Sequence, residues 1–137
     1  MASLTPQEKA LDRAFSRYIR LRDTKVQGDV RYGKCCTCGV IKPFEDIDAG
    51  HYVDRSNKCT RWDEQNVHGQ CQKCNRFLSG ASDEYALFLQ KKYGKTILEE
   101  LNRRKWQVCK FSPLLVKEMT REYREKCKEY ENVAIQS

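Results

Sequence analysis

The sequence lacks any long hydrophobic run. No segment reaches the roughly 18 apolar residues that a membrane-spanning helix needs, which excludes a membrane span. The first residues, MASLTPQEK, also lack the basic start and the apolar stretch of a secretory signal. Repeats and low-complexity segments are absent as well. We therefore expect one domain over residues 1–137, located in the cytosol and without a membrane partner.

Acidic residues are outnumbered by basic ones. Lysine and arginine total 26 against 19 aspartates and glutamates, which gives a net charge of +7. A basic balance favours polyanionic partners, because each phosphate contact releases counterions. The alternative is that the charge only keeps the protein soluble. Hydrophobic residues at 39% and charged residues at 33% indicate a globular rather than a disordered chain.

Eight cysteines are many for a reducing compartment, where disulfides rarely persist. Four of them form two pairs with the spacing C-x-x-C, which lets one tight turn aim two sulfurs at the same ion. Two such turns complete a tetrahedron, and we predict a structural Zn²⁺ on Cys35, Cys38, Cys71 and Cys74. Gly39 suits the strained exit of the first turn.

Two other uses of these cysteines are open, namely free thiols or one redox-active pair. A redox pair is expected on a thioredoxin-like βαβ pattern, which this sequence does not have. Cys59, Cys109 and Cys127 fit no pair, so we expect them to be buried or idle thiols.

The chain is predicted to be mostly helical around a small irregular centre, which is an α+β fold. Thr5-Pro6-Gln7-Glu8 is a capping box that begins the first helix. The predicted segments are an N-terminal helix over residues 5–23, a linker or turn over 24–34, a core over 35–80 with a short β-like piece at Ile47–Val53, and C-terminal helices over 82–132.

Three helices are predicted in the C-terminal part, beginning near Ser82, Thr96 and Ser112-Pro113. Gly94 is expected to end the first of them. The last helix carries an apolar stripe, which indicates a core or dimer contact. Its members are Val116, Met119, Tyr123, Cys127 and Tyr130.

Both histidines of the chain lie between the two cysteine pairs, at His51 and His68. Phosphodiester hydrolysis requires a water that loses a proton near neutral pH, and imidazole is suited to take it. It also requires a hard cation such as Mg²⁺, which accepts oxygen ligands from Asp and Asn. The segment therefore indicates a hydrolytic centre. The alternative is that both histidines are structural.

The stretches CTCG and DAGHYVDRSNKCTRWDEQNVHGQCQKCNRFLSG resemble the bacteriophage NinG/Rap recombination endonucleases, of the HNH or ββα-metal type. The likeness extends through EYALFLQKKYG and Trp106 and covers roughly residues 10–132. It implies a zinc-stapled ββα-metal (HNH-like) centre flanked by an N-terminal helix and C-terminal helices. It also implies an Mg²⁺-dependent endonuclease, in which Mn²⁺ can replace Mg²⁺, for branched DNA such as Holliday junctions and D-loops. A homodimer in the cytoplasm of an infected or lysogenic bacterial host is implied too.

By the same resemblance, His51 matches the general base and Asn66 the residue that braces the loop and orients this histidine. Asn75 matches a ligand of the catalytic metal. Many of these nucleases carry an acidic ligand directly before the base, where this chain has Gly50. We take Asp48, the nearest carboxylate, as the candidate substitute.

Asp54 and His68 are rivals of Asp48 as the second protein ligand of Mg²⁺. Several basic residues flank the proposed centre and are candidates to hold DNA phosphates, although each has a solvated rim as its alternative. They are Arg55, Lys58, Arg61, Lys73 and Arg76. A basic row on the first helix would widen this footprint, and it consists of Lys9, Arg13, Arg17 and Arg20.

Three functions therefore compete. The first is an Mg²⁺-dependent nuclease, and the second is a zinc-stabilised DNA- or RNA-binding module without catalysis. The third is a zinc-built protein-interaction adaptor. The histidine and asparagines favour the nuclease, because binding alone needs no base, and the flanking cations argue against the adaptor.

Overall fold

The computed structural model describes residues 3–136 and the side chains of residues 3–131. Residues 1, 2 and 137 of the predicted domain lie outside the described residues. The fold is mixed α+β and mostly helical, as predicted. Its α-helices are α1 (Pro6–Arg22), α2 (Lys58–Arg61), α3 (Ser82–Tyr93), α4 (Ile97–Lys105) and α5 (Pro113–Gln136). Its strands are β1 (Thr24–Gln27), β2 (Val30–Lys34), β3 (Ile41–Pro43), β4 (Ile47–His51) and β5 (Val67–Cys71).

Helix α1 begins with the predicted capping box. The Thr5 hydroxyl accepts a hydrogen bond from the Glu8 amide at 3.1 Å, and the Glu8 carboxylate accepts one from the Thr5 amide at 3.0 Å. Two amide groups at the helix start thereby gain partners that the helix itself does not provide. The predicted start is confirmed.

Helices α1 and α5 pack against each other and form the main core. The aromatic rings of Phe15 and Tyr123 meet edge to face, with their centroids 5.0 Å apart. Val116, Tyr123 and Cys127 from the predicted stripe of α5 are buried in this core. The prediction that this stripe is a core contact is confirmed. A dimer contact through it stays a prediction.

Residues 24–34 form a β-hairpin, so their interpretation as a linker is wrong. Strands β1 and β2 pair antiparallel from Thr24 opposite Gly33 to Gln27 opposite Val30. Gly28 in the connecting turn has a φ of +63°, which glycine adopts without steric cost. Strand β3 adds a third antiparallel strand on the other side of β2.

A second hairpin, β4–β5, carries the residues of the predicted centre. It pairs antiparallel from Ile47 opposite Cys71 to His51 opposite Val67. One wide helical turn, Lys73–Phe77, follows β5 directly. A hairpin followed by a helical segment is the order of elements that the resemblance implies. Assignment to the ββα-metal class stays a prediction.

Helix α3 packs on the β4–β5 hairpin, and α4 packs on α3 and α2. Their buried cluster includes Tyr85 and Leu101, and the Tyr85 hydroxyl donates to the carbonyl of Gly50 at 2.6 Å. The predicted end of α3 at Gly94 is confirmed, with a φ of +101°. Within residues 3–136, no helix combines the length and the apolarity that crossing a bilayer requires.

Cys59 and Cys109 form a disulfide, with their Cα atoms 5.5 Å apart. The expectation that both are idle thiols is therefore wrong. It failed because 50 residues separate the two cysteines, and no local spacing connects them. The bridge joins α2 to the segment between α4 and α5.

Candidate functional site

The four predicted zinc ligands lie together. The sulfurs of Cys35, Cys38, Cys71 and Cys74 are all within 4.8 Å of one another. The Cys38 and Cys71 sulfurs are 3.8 Å apart, and a tetrahedron with zinc–sulfur bonds of about 2.3 Å needs a separation of this size. The cluster therefore fits a zinc ion, in agreement with the prediction.

Backbone geometry aims the first cysteine pair. The turn closes through the Gly39 amide, which donates to the Cys35 carbonyl at 3.0 Å, and Gly39 has the expected left-handed φ of +79°. The Cys36 amide donates to the carbonyl of Gly69 at 3.0 Å and ties the turn to β5. Burial opposes ionisation of Cys35, but hydrogen bonds led by the Cys38 amide lower its pKa to about 6. A thiolate at this position suits a metal ligand.

The cysteine cluster adjoins the segment that carries Asn75. Cys71 ends β5, and Cys74 lies in the helical turn directly before Asn75. A bound ion would therefore hold this turn, and Asn75 with it, against the β2–β3 connection.

An open cleft of about 800 Å³ brings three of the predicted site residues together. Asp48 and His51 from β4 and Asn75 from the helical turn all line it. Asp54, Arg55 and Arg76 line it as well. The cleft is large enough to admit a nucleotide, and one of its walls comes from α1 through Ser16 and Arg20.

His51 is held through one of its ring nitrogens. Nε2 lies 2.9 Å from the carbonyl oxygen of Arg61, and a carbonyl can only accept, so Nε2 carries the proton. Among residues 3–131, no hydrogen bond reaches Nδ1. Burial lowers the pKa of His51 to about 4, with the Arg61 carbonyl opposing and the charges of Arg55 and Arg61 adding to the effect. The ring is therefore neutral at pH 7, with a lone pair on Nδ1.

The carbonyl that fixes His51 is itself anchored by α1. Arg61 donates from Nε to the Asp12 carboxylate at 2.9 Å, and the Trp62 indole donates to the same carboxylate at 2.8 Å. Burial raises the pKa of Asp12, but these two hydrogen bonds outweigh it and leave the pKa below its usual value. Asp12 is thus a positioning residue for His51. Sequence reasoning missed it, because 49 residues separate Asp12 from Arg61 and no local motif joins them.

Asn66 is fully buried and braces the loop between β4 and α2. Its side-chain oxygen accepts from the Val53 amide at 2.8 Å. Its amide nitrogen donates to the carbonyls of Val53 at 3.1 Å and Thr60 at 3.0 Å. Thr60 is directly before Arg61, so Asn66 and Asp12 hold the same short segment from two sides. This placement agrees with the bracing role that the resemblance implies.

Asp48 and Asn75 are hydrogen-bonded to each other. The Asn75 side-chain nitrogen donates to Asp48 Oδ2 at 2.9 Å, which leaves the Asn75 side-chain oxygen directed elsewhere. Arg76 forms a two-pronged ion pair with the same carboxylate, at 2.9 Å and 3.0 Å. The guanidinium therefore occupies both oxygens of the candidate metal ligand. The Arg76 side chain is 55% exposed, so solvent reaches this ion pair.

The shape of the hairpin explains why no acidic residue precedes His51. A Cβ on Gly50 would lie 2.1 Å from the side-chain oxygen of Gln70, which is buried on the neighbouring strand. Any side chain at position 50 would collide with this amide. Asp48 lies two residues earlier on β4 and therefore projects from the same face as position 50.

The two rivals of Asp48 differ in their surroundings. His68 is only 1% exposed, and its ring nitrogens contact the hydroxyls of Tyr85 at 3.3 Å and Tyr93 at 2.7 Å. Burial lowers its pKa to about 3. His68 is thus a core residue and does not line the cleft. Asp54 is exposed at the cleft, where its carboxylate accepts from the Ser56 amide at 2.8 Å.

The candidate DNA contacts divide into two groups. Arg55 and Arg76 line the cleft. The contact expected of Arg61 is not supported, because its guanidinium pairs with Asp12 and donates to the Arg55 carbonyl. Lys58 pairs with Glu8 at 2.6 Å. Lys73 is exposed but does not line the cleft.

The basic row of α1 also divides. Arg20 donates to the carbonyls of Ile47 at 2.7 Å and Phe44 at 2.9 Å, so it holds the start of β4. Arg17 pairs with Glu131 at the surface. Arg13 lines a shallow extension of the cleft beside His51 and Arg55.

The cysteine cluster is the only group of three or more Cys, His, Asp or Glu side chains in metal-binding proximity among the described residues. A second metal held by the described residues would therefore have at most two such side chains as ligands, completed by others such as the amide oxygen of Asn75, water or a phosphate.

A model of the family described as bacteriophage lambda NinG protein matches residues 2–133. The Protein ninG of Escherichia phage 933W is 31% identical over 105 residues, which is 73% of this chain and 48% of the relative. That of Escherichia phage lambda is 29% identical over 129 residues, 90% of this chain and 57% of the relative. That of Salmonella phage P22 is 30% identical over 103 residues, 72% and 47% respectively. The chain spans about half the length of these relatives.

No solved structure matches this fold. The family match nevertheless extends over nearly the whole chain, from α1 through the cysteine cluster to α5. The chain therefore belongs to the bacteriophage lambda NinG protein family.

Proposed function

We propose that this protein is a metal-dependent endodeoxyribonuclease of the HNH type that cleaves branched DNA recombination intermediates. The observation that carries the proposal is the ring of His51, which lines one open cleft together with Asp48 and Asn75. A neutral imidazole with one nitrogen fixed and the other free is the arrangement that a general base requires. The zinc-binding cysteines have a structural part in this proposal.

His51 Nδ1 takes the proton of the attacking water. The water oxygen forms a bond to phosphorus while the bond from phosphorus to the 3′ oxygen breaks, and this oxygen gains a proton from solvent. The products carry a 3′-hydroxyl and a 5′-phosphate. His51 is prepared for this role because the Arg61 carbonyl holds Nε2–H at 2.9 Å and sets the tautomer.

Asp48 and the side-chain oxygen of Asn75 would hold the catalytic Mg²⁺, for which Mn²⁺ could substitute. Both residues offer hard oxygens at one cleft, and Mg²⁺ commonly uses only one or two protein ligands and keeps several waters. The Asn75 amide would have to rotate, because its nitrogen rather than its oxygen faces Asp48. When bound, the cation neutralises charge on the phosphate and the leaving oxygen. Arg76 must then leave Asp48, which places its guanidinium next to the phosphate.

The choice of branched DNA as substrate rests on the resemblance of the GHY, NVHGQC and CN…SG motifs. A homodimer is proposed because opposite strands of a two-fold junction need two centres. Action in the cytoplasm of an infected or lysogenic host agrees with relatives that are phage proteins.

A zinc-stabilised DNA-binding module without catalysis is the second candidate. The ion pair of Arg76 with Asp48 favours it, because a guanidinium on both carboxylate oxygens competes with a cation. In this alternative the cleft binds phosphates and His51 has no chemical role.

The test compares wild type with His51→Ala on a four-way junction and a linear duplex, with Mg²⁺, with Mn²⁺ and with neither. Removal of a general base is expected to lower the cleavage rate by roughly 10²–10⁴-fold. Zinc content and DNA affinity should stay at the wild-type level. Ser16→Ala, another change in a cleft-lining side chain, is the matched control and should cut normally.

A second pair of variants examines the metal ligand. Asp48→Asn should lose cleavage, whereas Asp46→Asn removes the same charge from an exposed position nearby and should retain it. Wild-type protein that binds DNA but cuts neither substrate with either metal would establish the binding module instead. Full cleavage by His51→Ala would show that another group is the base.

A further inference from the structure

Two large apolar side chains project into solvent directly after the candidate metal ligand. Phe77 is 80% exposed and Leu78 is 50% exposed. They follow Asn75 and Arg76 without a gap, so they belong to the segment that lines the cleft. The proposed nuclease chemistry has no use for these side chains, and the core of the protein does not contain them.

The backbone holds this pair outward. The Leu78 amide donates to the Lys73 carbonyl at 3.0 Å, and the Gly80 amide donates to the carbonyl of Cys74 at 2.9 Å. The buried side chain of Gln70 donates to the Gly80 carbonyl at 2.8 Å. The turn is thus fixed from three sides, and the zinc cluster holds one of its anchors.

Two residues of this turn have unusual backbone angles. Ser79 and Ala81 adopt left-handed φ values of 50° and 48°, which are unfavourable for residues other than glycine. Such angles persist where the surroundings enforce them, often at functional sites. The backbone directly after Phe77 and Leu78 is therefore held in a conformation that is unfavourable for these residue types.

The pair is flanked on both sides in the sequence by residues that line the cleft. Ser79 and Gly80, which follow it, line the cleft together with Asp48 and Asn75. The exposed cations Lys73 and Arg76 come immediately before it in the same helical turn. An exposed aromatic ring between cations and a catalytic cleft matches a nucleic acid, whose phosphates take the cations and whose bases stack on the ring.

In a continuous duplex both faces of nearly every base are already stacked. Open base faces occur where stacking is interrupted, as at the branch point of an open junction. We propose that Phe77, supported by Leu78, stacks on an unpaired or exposed base at a branch point and thereby selects branched over linear DNA. This inference rests on the proposed function, because it concerns the substrate of the same cleft.

The experiment measures DNA binding without cleavage. His51→Ala and the double variant His51→Ala/Phe77→Ala are compared for affinity to a four-way junction and to a linear duplex of equal length, by fluorescence anisotropy. Stacking of one base is worth roughly 1–3 kcal/mol, so loss of the ring should weaken junction binding by roughly 5- to 150-fold. Duplex affinity should change by no more than about twofold, since phosphate contacts dominate it.

Two further variants separate stacking from general damage. Leu87 on α3 is 67% exposed and does not line the catalytic cleft, so His51→Ala/Leu87→Ala should bind both DNAs like His51→Ala. His51→Ala/Phe77→Trp keeps an aromatic face and should keep the preference for the junction. Equal weakening on both DNAs, unchanged junction affinity after Phe77→Ala, or no DNA binding by any variant would each overturn the inference.

Failure of the proposed function has a different signature. If the wild type cuts no DNA but Phe77→Ala still abolishes the preference for the junction, the stacking role stands and the nuclease proposal fails. If cleavage depends on His51 but the preference for the junction survives Phe77→Ala, the nuclease proposal stands and the stacking role fails.

Discussion

The two histidines lie on neighbouring strands of one hairpin, yet their surroundings differ. His51, at the end of β4, is fixed at one nitrogen by a backbone carbonyl and lines the cleft. His68, on β5, is enclosed by the hydroxyls of Tyr85 and Tyr93 and is 1% exposed. Burial lowers the pKa of both rings, to about 4 and about 3.

A lowered pKa therefore does not distinguish a candidate base from a core histidine. The distinction lies in the second ring nitrogen, which is bonded in His68 and free in His51 among the described residues. The free energy of unfolding should depend on His68, and any cleavage should depend on His51. The following changes break or sharpen this contrast, from the largest expected effect to the smallest.

Loss of zinc should displace both histidines, because they lie on the same hairpin. Cys71→Ser or chelation is expected to unfold the β4–β5 hairpin, because structural zinc sites contribute on the order of 10 kcal/mol to folding in small domains. The measurements are zinc content by mass spectrometry and loss of amide protection in residues 47–75 by hydrogen exchange. A Cys71→Ser protein that remains protected there would show that the hairpin does not need the ion. Cys127→Ser, at a buried cysteine outside the cluster, is the control.

The disulfide should stabilise the surroundings of His51 but not those of His68. Cys59 lies in α2, and the carbonyl of Arg61 at the end of the same helix holds the His51 ring. Closing a loop of this length stabilises by roughly 2–4 kcal/mol. Reduction should lower the free energy of unfolding by this amount, measured with urea at constant zinc. The variant Cys59→Ser/Cys109→Ser should be insensitive to the reductant.

Thiol counting provides an independent check on the disulfide. In protein purified without reductant, denatured with chelator present, six of the eight cysteines should react with a thiol reagent. Eight reactive thiols would mean that the bridge does not form.

His68→Ala should affect stability and leave the chemistry of the cleft in place. It removes a buried ring and takes from the Tyr93 hydroxyl its imidazole partner, whereas Tyr85 keeps its hydrogen bond to the Gly50 carbonyl. The expected cost is roughly 2–4 kcal/mol. His51→Ala should cost less, because its ring lines an open cleft. Urea unfolding of both variants measures the difference, and equal losses would contradict the assignment of His68 to the core.

The pH dependence of stability and of cleavage should distinguish the two histidines through smaller effects. Both pKa values lie below the unfolded value of about 6.5, so the unfolded state binds more protons and stability falls as the pH drops below 6.5. Between pH 7 and 5.5, the free energy of unfolding of His68→Phe should fall by about 1 kcal/mol less than that of the wild type.

The cleavage rate at pH 5.5 should stay near its value at pH 7. A general base with an ordinary pKa would leave only about a tenth of that rate.

Some elements were predictable because their signals are local. The spacing of the cysteines identified the four that lie together, and the capping box placed the start of α1. The β1–β2 hairpin also had a local signal, since Gly28-Asp29 between two alternating segments favours a tight turn. The prediction of a linker or turn did not use this signal for two strands.

Other elements depend on contacts between distant residues. Asp12 and Arg61 meet only because α1 packs beside the hairpin, and Cys59 meets Cys109 only through the packing of α2 on α4. The nearness of Asp48 to Asn75 required the register of β4 with β5. Distance along the sequence could not decide which of Asp48, Asp54 and His68 is the metal ligand.

Gln70 makes position 50 a coupled site. Its buried amide lies where a side chain on Gly50 would be, so neither residue can change alone without a collision or a cavity. Family members with an acidic residue directly before the histidine should carry a small residue at the position equivalent to 70. Moving the acidic metal ligand from Asp48 to position 50 would likewise need substitutions at both 50 and 70 in the same protein. Gly50→Glu by itself would push the strands of the hairpin apart.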